Sequence, residues 1–200
     1  MAKKEPGTYR LVVDFRAVND ATIGDAYPLP LINDILQKHG VFELFSIFDM
    51  KDGFHQVPLK KGHRYITSMS TPRGTKQWKV LVMGLKNAGA QFQRVMEYIT
   101  RGLPNVSIYI DDIIVGSRGA TLEELYANHD RDVRALLSRL AEFQMFANPK
   151  KARLFLREVE FCGHILKDGK RSPAPGKLLS IQKWDLPKTV TQLRGFFGFD

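Results

Sequence analysis

Asp111 and Asp112 sit side by side in NVSIYIDDIIVGS, residues 105–117, a run whose other members suit a buried strand. Val106, Ile108, Ile110, Ile113, Ile114 and Val115 supply that apolar character. Uncompensated carboxylates in such a setting are costly, and divalent metals offset the cost because hard oxygen ligands suit Mg²⁺. A third acid, Asp49, ends another apolar run, LFSIFDM, far earlier in the chain. Two metals roughly 3.5–4 Å apart on such acids would activate an attacking hydroxyl and stabilise a leaving pyrophosphate. An Asp pair is also what a solvated turn carries, so the pair alone does not decide.

Adjacent residues on a strand point to opposite faces, so Asp111 and Asp112 cannot both face one core. A tight hairpin between VSIYI and IIVGS, with the acids at its turn, would let both stand near one exposed edge. LFSIFDM (44–50) reads as the strand that delivers Asp49, and TYRLVVDF (8–15) as an earlier strand. The prolines of YPLP force an extended run before a short helix beginning with Ile32, Ile35 and Leu36. A hairpin is expected over 65–82, with arms ITSMS and QWKVLV around TPRGTK. Residues 88–101 carry Phe92, Val95, Met96 and Ile99 on one helical face, stopped by Gly102 and Pro104.

Thr121 and Glu124 form a capping box for a long helix lined by Leu125, Val133, Leu136, Leu137, Leu140 and Phe143 and ended by Asn148-Pro149. Strand, turn and strand follow over 154–166, with Gly163 between the arms and Asp168-Gly169 closing. The tail, TQLRGFFGFD, starts another helical pattern. Strands and helices mix without regular alternation, which places the chain in the α+β class.

Thirty Lys and Arg against 21 Asp and Glu leave a net charge of +9, a balance that favours nucleic acid as partner. The single cysteine, Cys162, excludes an internal disulfide framework and fits a reducing compartment. No run is apolar enough to span a membrane, and MAKKEPGTYR has no apolar core of a secretory signal. No His/Cys metal cluster is readable, and His55, His129 and His164 show no partners.

Six ordered blocks now carry a resemblance. Tyr109-Ile110-Asp111-Asp112 resembles the YxDD box of reverse transcriptases. LVVDFRAVN, YPLPLINDIL, FSIFDMKDGFHQVPL, GLKNAGAQFQRVM, FANPKKARL and FCGHILKDG resemble, in order, the blocks of the gypsy-type LTR retrotransposon enzyme, related to the retroviral ones. The match covers nearly the whole chain. It implies a right-hand polymerase palm with partial fingers, an antiparallel sheet backed by helices. Residues 1–45 would be partial fingers leading into the palm, and 46–60 the palm strand with the first catalytic Asp. Residues 61–90 would be the fingers hairpin and return, 91–170 the palm with the YIDD and primer-grip-like hairpins, and 171–200 the start of thumb and connection.

Carried over residue by residue, the resemblance makes Asp49, Asp111 and Asp112 the catalytic, metal-binding triad for two Mg²⁺ ions, with Mn²⁺ as substitute. Arg10, and Lys3 or Lys4, match cations that hold an incoming deoxynucleoside triphosphate, a task that suits guanidinium. Phe54 matches the ring that excludes a ribonucleotide 2′-hydroxyl. Met83 stands where sugar and base pack. Gln93 and its helix resemble the template-side surface, and Cys162 and Gly163 the hairpin that grips the primer end.

The family pattern MPFGLxNAP reads LVMGLKNAG here, so Val82 and Met83 replace Pro-Phe, and Gly89 replaces the last proline. The implied partners are an RNA or DNA template with primer, together with the thumb, connection and RNase H segments of a parent polyprotein. The implied location is intracellular, in cytoplasm or nucleus or within a retrotransposon particle. The implied function is RNA-directed DNA polymerase. The competing one is a truncated or domesticated module that binds nucleic acid without polymerising.

Overall fold

The computed structural model of the chain describes residues 2–3, 9–174 and Thr189, with side chains from Leu11 onward. The helical start expected in TQLRGFFGFD lies outside them. At the N-terminal end, β1 (Ala2–Lys3) and β2 (Tyr9–Arg10) pair antiparallel, Lys3 opposite Tyr9. The strand expected over 8–15 stops at Arg10, and the chain turns into α1 (Arg16–Asp20). Asp14 is a local reason: its carboxylate accepts from the Arg16 backbone N–H at 3.0 Å and from the guanidinium at 2.6 Å. Such bonds give the backbone an alternative to a ladder.

The extended YPLP run and α2 (Ile32–His39) follow as expected, with Ile35 and Leu36 buried. Next come β3 (Leu44–Asp49), a 3₁₀ turn over Gly53–Gln56 and another over Lys61–Thr67. The hairpin expected over 65–82 is much shorter, β4 (Met69–Thr71) against β5 (Gly74–Lys76). Thr67 explains the difference, because its hydroxyl donates to Arg64 O at 2.7 Å and accepts from Trp78 N at 2.9 Å. Those bonds tie both expected arms into turns.

After α3 (Ala88–Ile99), the strands β6 (Val106–Tyr109) and β7 (Asp112–Ser117) form the expected hairpin, although only Ile110 and Asp111 make its turn. In α4 (Leu122–Glu142), Thr121 Oγ1 accepts from Glu124 N at 3.2 Å, but the Glu124 carboxylate caps Ala120 N instead of closing the box. The helix ends at Glu142, before Asn148-Pro149, and Leu137 and Phe143 are exposed rather than core. The final strands are β8 (Arg153–Leu156), β9 (Glu158–Phe161), β10 (His164–Lys167) and β11 (Lys170–Pro173).

One antiparallel sheet, in the order β6-β7-β3-β8, organises the molecule. Because side chains alternate along a strand, its two faces build two cores. On one, Phe48, Ile108, Ile113 and Val115 pack against Phe92 and Met96 of α3 and Leu136 and Leu140 of α4. On the other, Phe45 and Ile114 meet Ile35 and Leu36 of α2 and Val159, Phe161 and Leu166 of the sheet β9-β10-β11. Each fully buried side chain of this kind contributes roughly 1.5–3 kcal/mol. The result is the expected α+β architecture, antiparallel sheets backed by helices.

Candidate active site

The register of β3 with β7 sets Asp49 directly opposite Asp112, continuing the pairs Ile47–Ile114 and Phe48–Ile113. Both acids share the face that looks away from α3 and α4. Like charges directly opposite on a sheet repel, so the pairing is unfavourable unless a cation joins it. Asp111 follows from the turn, where its carbonyl accepts from Met50 N at 3.0 Å.

Asp111 Oδ1 is buried and has no hydrogen-bond partner. It lies over Gly53, where an added Cβ would come within 2.5 Å of that oxygen and 2.8 Å of the Phe92 ring. Glycine is thus required for the acid to fit. Desolvation, reinforced by Asp49 and Asp112, pushes the Asp111 carboxyl up to about 6. Asp112 is raised too, by desolvation and then by Asp49.

Lys151 completes the cluster. Its Nζ lies 2.8 Å from Asp49 Oδ2, and that bond holds the ammonium above its usual range. This lysine sits inside the FANPKKARL block but was not singled out from sequence. Nothing in its spacing says that the loop after α4 returns to β3, where Lys51 N donates to Phe146 O and Asn148 N to Asp49 O.

The donor set suits a hard divalent cation: three carboxylates at one sheet edge, Asp111 and Asp112 both raised by burial and by the nearby Asp49 charge, and Asp111 with an orphaned oxygen. Among the described residues, no group of three or more His, Cys, Asp or Glu side chains, the three aspartates included, is placed to hold a metal ion by itself, so the site is open. That openness is compatible with Mg²⁺, which usually takes one or two protein carboxylates and completes its shell with water and substrate phosphates.

Phe54 and Met83 are brought together. Phe54 is half-buried, stacks on Phe92 at 5.0 Å and lines a largely apolar cavity with Met83, Leu11, Val12, Phe15 and Trp78. Phe15 is buried, whereas Val12 is more than half exposed at the rim. Cys162 shares a small cleft with Asp49, Asp112 and Lys151. Both Cys162 and Gly163 take positive φ, 48° and 71°, in the turn joining β9 to β10. Lys3 and Arg10 lie on the β1–β2 ladder, and their side chains fall outside the described residues.

Gln93 is not on a template-facing surface: it is fully buried. Its Oε1 accepts from Ile110 N at 2.7 Å, and its Nε2 donates to Ile108 O at 3.2 Å and to Glu97 Oε1 at 2.8 Å. Helical spacing puts it one residue past Phe92, on the side of α3 that meets β6, and that packing decides its role. Ile110, which it holds, takes φ 55°. A β-branched residue in that region costs on the order of 1–3 kcal/mol and persists only where its surroundings enforce it.

All three histidines expected to lack partners have them, His164 with its Nδ1 3.1 Å from Cys162 O. His55 stacks on Trp78 at 5.4 Å. His129 is buried, with Nε2 2.7 Å from Ser46 Oγ and Nδ1 2.9 Å from Ser117 Oγ. Ser117 Oγ donates to Asp132, which also accepts from Asn105, so Nδ1 carries the ring proton and Ser46 donates to Nε2.

The Reverse transcriptase (RNA-dependent DNA polymerase) family model matches residues 1–166. The retrovirus-related Pol polyprotein from the Drosophila melanogaster transposon gypsy is 36% identical over 192 residues, which cover 94% of this chain and 18% of that polyprotein. The corresponding polyprotein from transposon 297 of the same fly is 33% identical over 192 residues, 95% of this chain and 18% of its own length. The enzymatic polyprotein of Cauliflower mosaic virus (strain Strasbourg) is 35% identical over 199 residues, 98% of this chain and 28% of its own. The chain therefore spans less than a third of these relatives. Among solved structures, the foamy viral protease-reverse transcriptase in complex with double-stranded DNA superposes with a TM-score of 0.84 at 24% identity, over 100% of this chain and 34% of that one. That likeness establishes the fold as a polymerase palm with partial fingers.

Proposed function

Because this chain belongs to the reverse transcriptase family, on the gypsy-type retrotransposon branch, we propose that it is the catalytic core of an RNA-directed DNA polymerase. The observation that carries this reading is the opposition of Asp49 and Asp112 beside the orphaned, buried oxygen of Asp111. Asp49, Asp111 and Asp112 are the residues that would hold divalent cations. When bound, two such ions supply the charge that activates a primer 3′-hydroxyl and holds the departing pyrophosphate.

The chain's own residues do the rest by position and charge, the main demands of phosphoryl transfer. Lys151, 2.8 Å from Asp49 Oδ2, offsets part of the negative charge that the three acids bring together. Phe54 and Met83 line one cavity: Phe54 excludes a 2′-hydroxyl by occupying its volume, and Met83 packs against the sugar and base of a deoxynucleotide. Arg10 and Lys3 meet the triphosphate. The Cys162-Gly163 turn, in the cleft beside Asp49 and Asp112, steadies the primer end. Residues 46–60, with the end of β3, and 91–170, with their hairpins, make the palm in this reading, and residues 1–45 and 61–90 the fingers and the return to the palm.

Metal-dependent primer extension tests the proposal, on RNA and DNA templates with Mg²⁺ and then Mn²⁺, using this chain and a longer one carrying flanking polyprotein segments. Extension that requires both the metal and Asp111 supports it. Salt-sensitive retention of primer–template without extension by either chain would favour the non-polymerising binding module, for which the +9 charge is sufficient.

A further inference from the structure

Behind the acidic cluster runs an unbroken chain of polar contacts that leaves the sheet altogether. Ile110 N donates to Gln93 Oε1 at 2.7 Å, and Gln93 Nε2 donates to Glu97 Oε1 at 2.8 Å. The other oxygen of Glu97 accepts from the hydroxyl of Tyr27, in the extended run before α2. Arg94 stands over the Tyr27 ring at 4.5 Å and pairs with Asp25 at 2.9 Å, and Gln91 Nε2 also donates to Asp25, at 2.8 Å. Three groups on one side of α3 therefore clamp residues 25–27. A fourth, Gln93, reaches from the same helix to the turn that carries Asp111 and leads into Asp112 at the start of β7.

This arrangement has a definite mechanical consequence. Ile110 sits at φ 55°, a conformation suited to glycine or asparagine, and its amide is anchored by a side chain that is itself fully buried. The Gln93 carboxamide has little freedom, because Glu97 and the Ile108 carbonyl hold its amino end. Glu97 in turn is oriented by Tyr27. The aim of the two turn acids depends on this line of contacts rather than on the β6–β7 ladder alone.

We propose that Tyr27, Glu97 and Gln93 form a positioning relay that holds Ile110 left-handed and so presents Asp111 and Asp112 to divalent metal. The proposal rests on the reading of those acids as metal ligands. None of the three relay residues touches the reacting atoms. They act through the turn, and they link the segment before α2 to the geometry of the metal site.

The test is a Mn²⁺ titration of the full 200-residue chain, followed by electron paramagnetic resonance of free Mn²⁺, with melting temperature as the folding control. Gln93→Leu should weaken Mn²⁺ binding about tenfold while the chain stays folded. Adding Ile110→Gly, which removes the penalty for positive φ, should restore most of that loss, a rescue that a general packing defect would not show. Tyr27→Phe removes only a hydroxyl at a half-buried position and should weaken binding about two- to threefold, with no further loss when combined with Gln93→Leu. If Gln93→Leu does not fold, Tyr27→Phe decides by itself, and unchanged binding overturns the relay.

Unchanged binding in a folded Gln93→Leu, or failure of Ile110→Gly to rescue it, also overturns it. Asp111→Asn separates the two levels of argument. If it binds Mn²⁺ as well as the native chain, the metal-site reading falls and the relay with it. If it loses binding and the relay variants do not, only the relay falls.

Discussion

Strands β3 and β7 carry a polar cluster at each end, and the two are built on opposite terms. At the Ser117 end, His129 lies between Ser46 and Ser117, Asp132 accepts from Ser117 and Asn105, and Phe155 N donates to Ser46 Oγ at 3.1 Å. Both ring nitrogens and both serine hydroxyls are paired. At the other end, Asp49 and Asp112 face each other with like charge, and Asp111 keeps an oxygen buried without a partner. The same ladder joins both, so strand geometry cannot be the cause of the difference. A satisfied network stabilises and rigidifies, whereas an unsatisfied one is tolerated where its groups are needed for something that arrives from outside.

The largest effect should come from the frustrated end. Asp111→Asn should lower primer extension on the order of 10²–10³-fold or more, the scale of losing one group that stabilises charge in a transition state. It should leave the melting temperature unchanged or higher, because it removes repulsion and a buried charge. A large drop in melting temperature would make Asp111 a structural residue and erase the contrast.

The satisfied end should behave in the reverse way. His129→Ala leaves Ser46 and Ser117 short of a partner and opens a cavity, and should destabilise by about 2–4 kcal/mol. Mn²⁺ affinity of the folded fraction should stay within about twofold. Calorimetric unfolding and metal titration on one sample check both halves, and a metal affinity that falls in step with stability would show that the two ends are coupled.

Phe54→Ala sharpens the comparison at the cavity next to the acids. The ring stacks on Phe92, which also walls Asp111, as Phe155 packs edge-on against His129 at the far end. If Phe54 is there for selection, its loss should shift the deoxy- to ribonucleotide incorporation ratio by about 10- to 100-fold. An unchanged ratio in an active enzyme would make it the counterpart of Phe155, a packing ring.

The smallest effect is in pH dependence, where the two classes of buried group oppose each other. Burial lowers His129 below its ordinary value of 6.5, and His39 is lowered to about 3. Their contribution to stability is present above 6.5 and is lost as pH falls below it, because the unfolded state then binds more protons. Asp111, raised from 3.8 to about 6, has the opposite sign: it favours folding below 3.8, and that contribution is lost as pH rises through about 6. Acid loss of stability should therefore be steeper in Asp111→Asn than in the native chain. Melting temperatures from pH 8 to 4.5 test this, and parallel curves would place the Asp111 carboxylate in ordinary solvent.

Much of this was legible from residue order. The alternation of LFSIFDM and NVSIYIDDIIVGS locates β3, β6 and β7, and the spacing of Phe92, Met96 and Ile99 locates α3, because such patterns express local burial. The family resemblance singled out Asp49, Asp111, Asp112, Phe54 and Met83, which the structure gathers around β3 and the turn after it. Local chemistry misled where side chains compete with the backbone: Asp14 ended the first strand and Thr67 shortened the hairpin. A one-dimensional pattern gave no reason to separate Leu137 and Phe143 from the core residues of α4, since they share its apolar look but not its buried face.

What the sequence determined by itself is the identity of the candidate reacting groups, because their chemistry is written in residue type. Which groups serve them was decided only by the tertiary structure. Lys151 reaches Asp49, Gln93 grips the turn, and His129 finds two serines across gaps of 102, 17, 83 and 12 residues. Partnership at that range depends on strand register and helix packing, and neither exists until the sheet has closed.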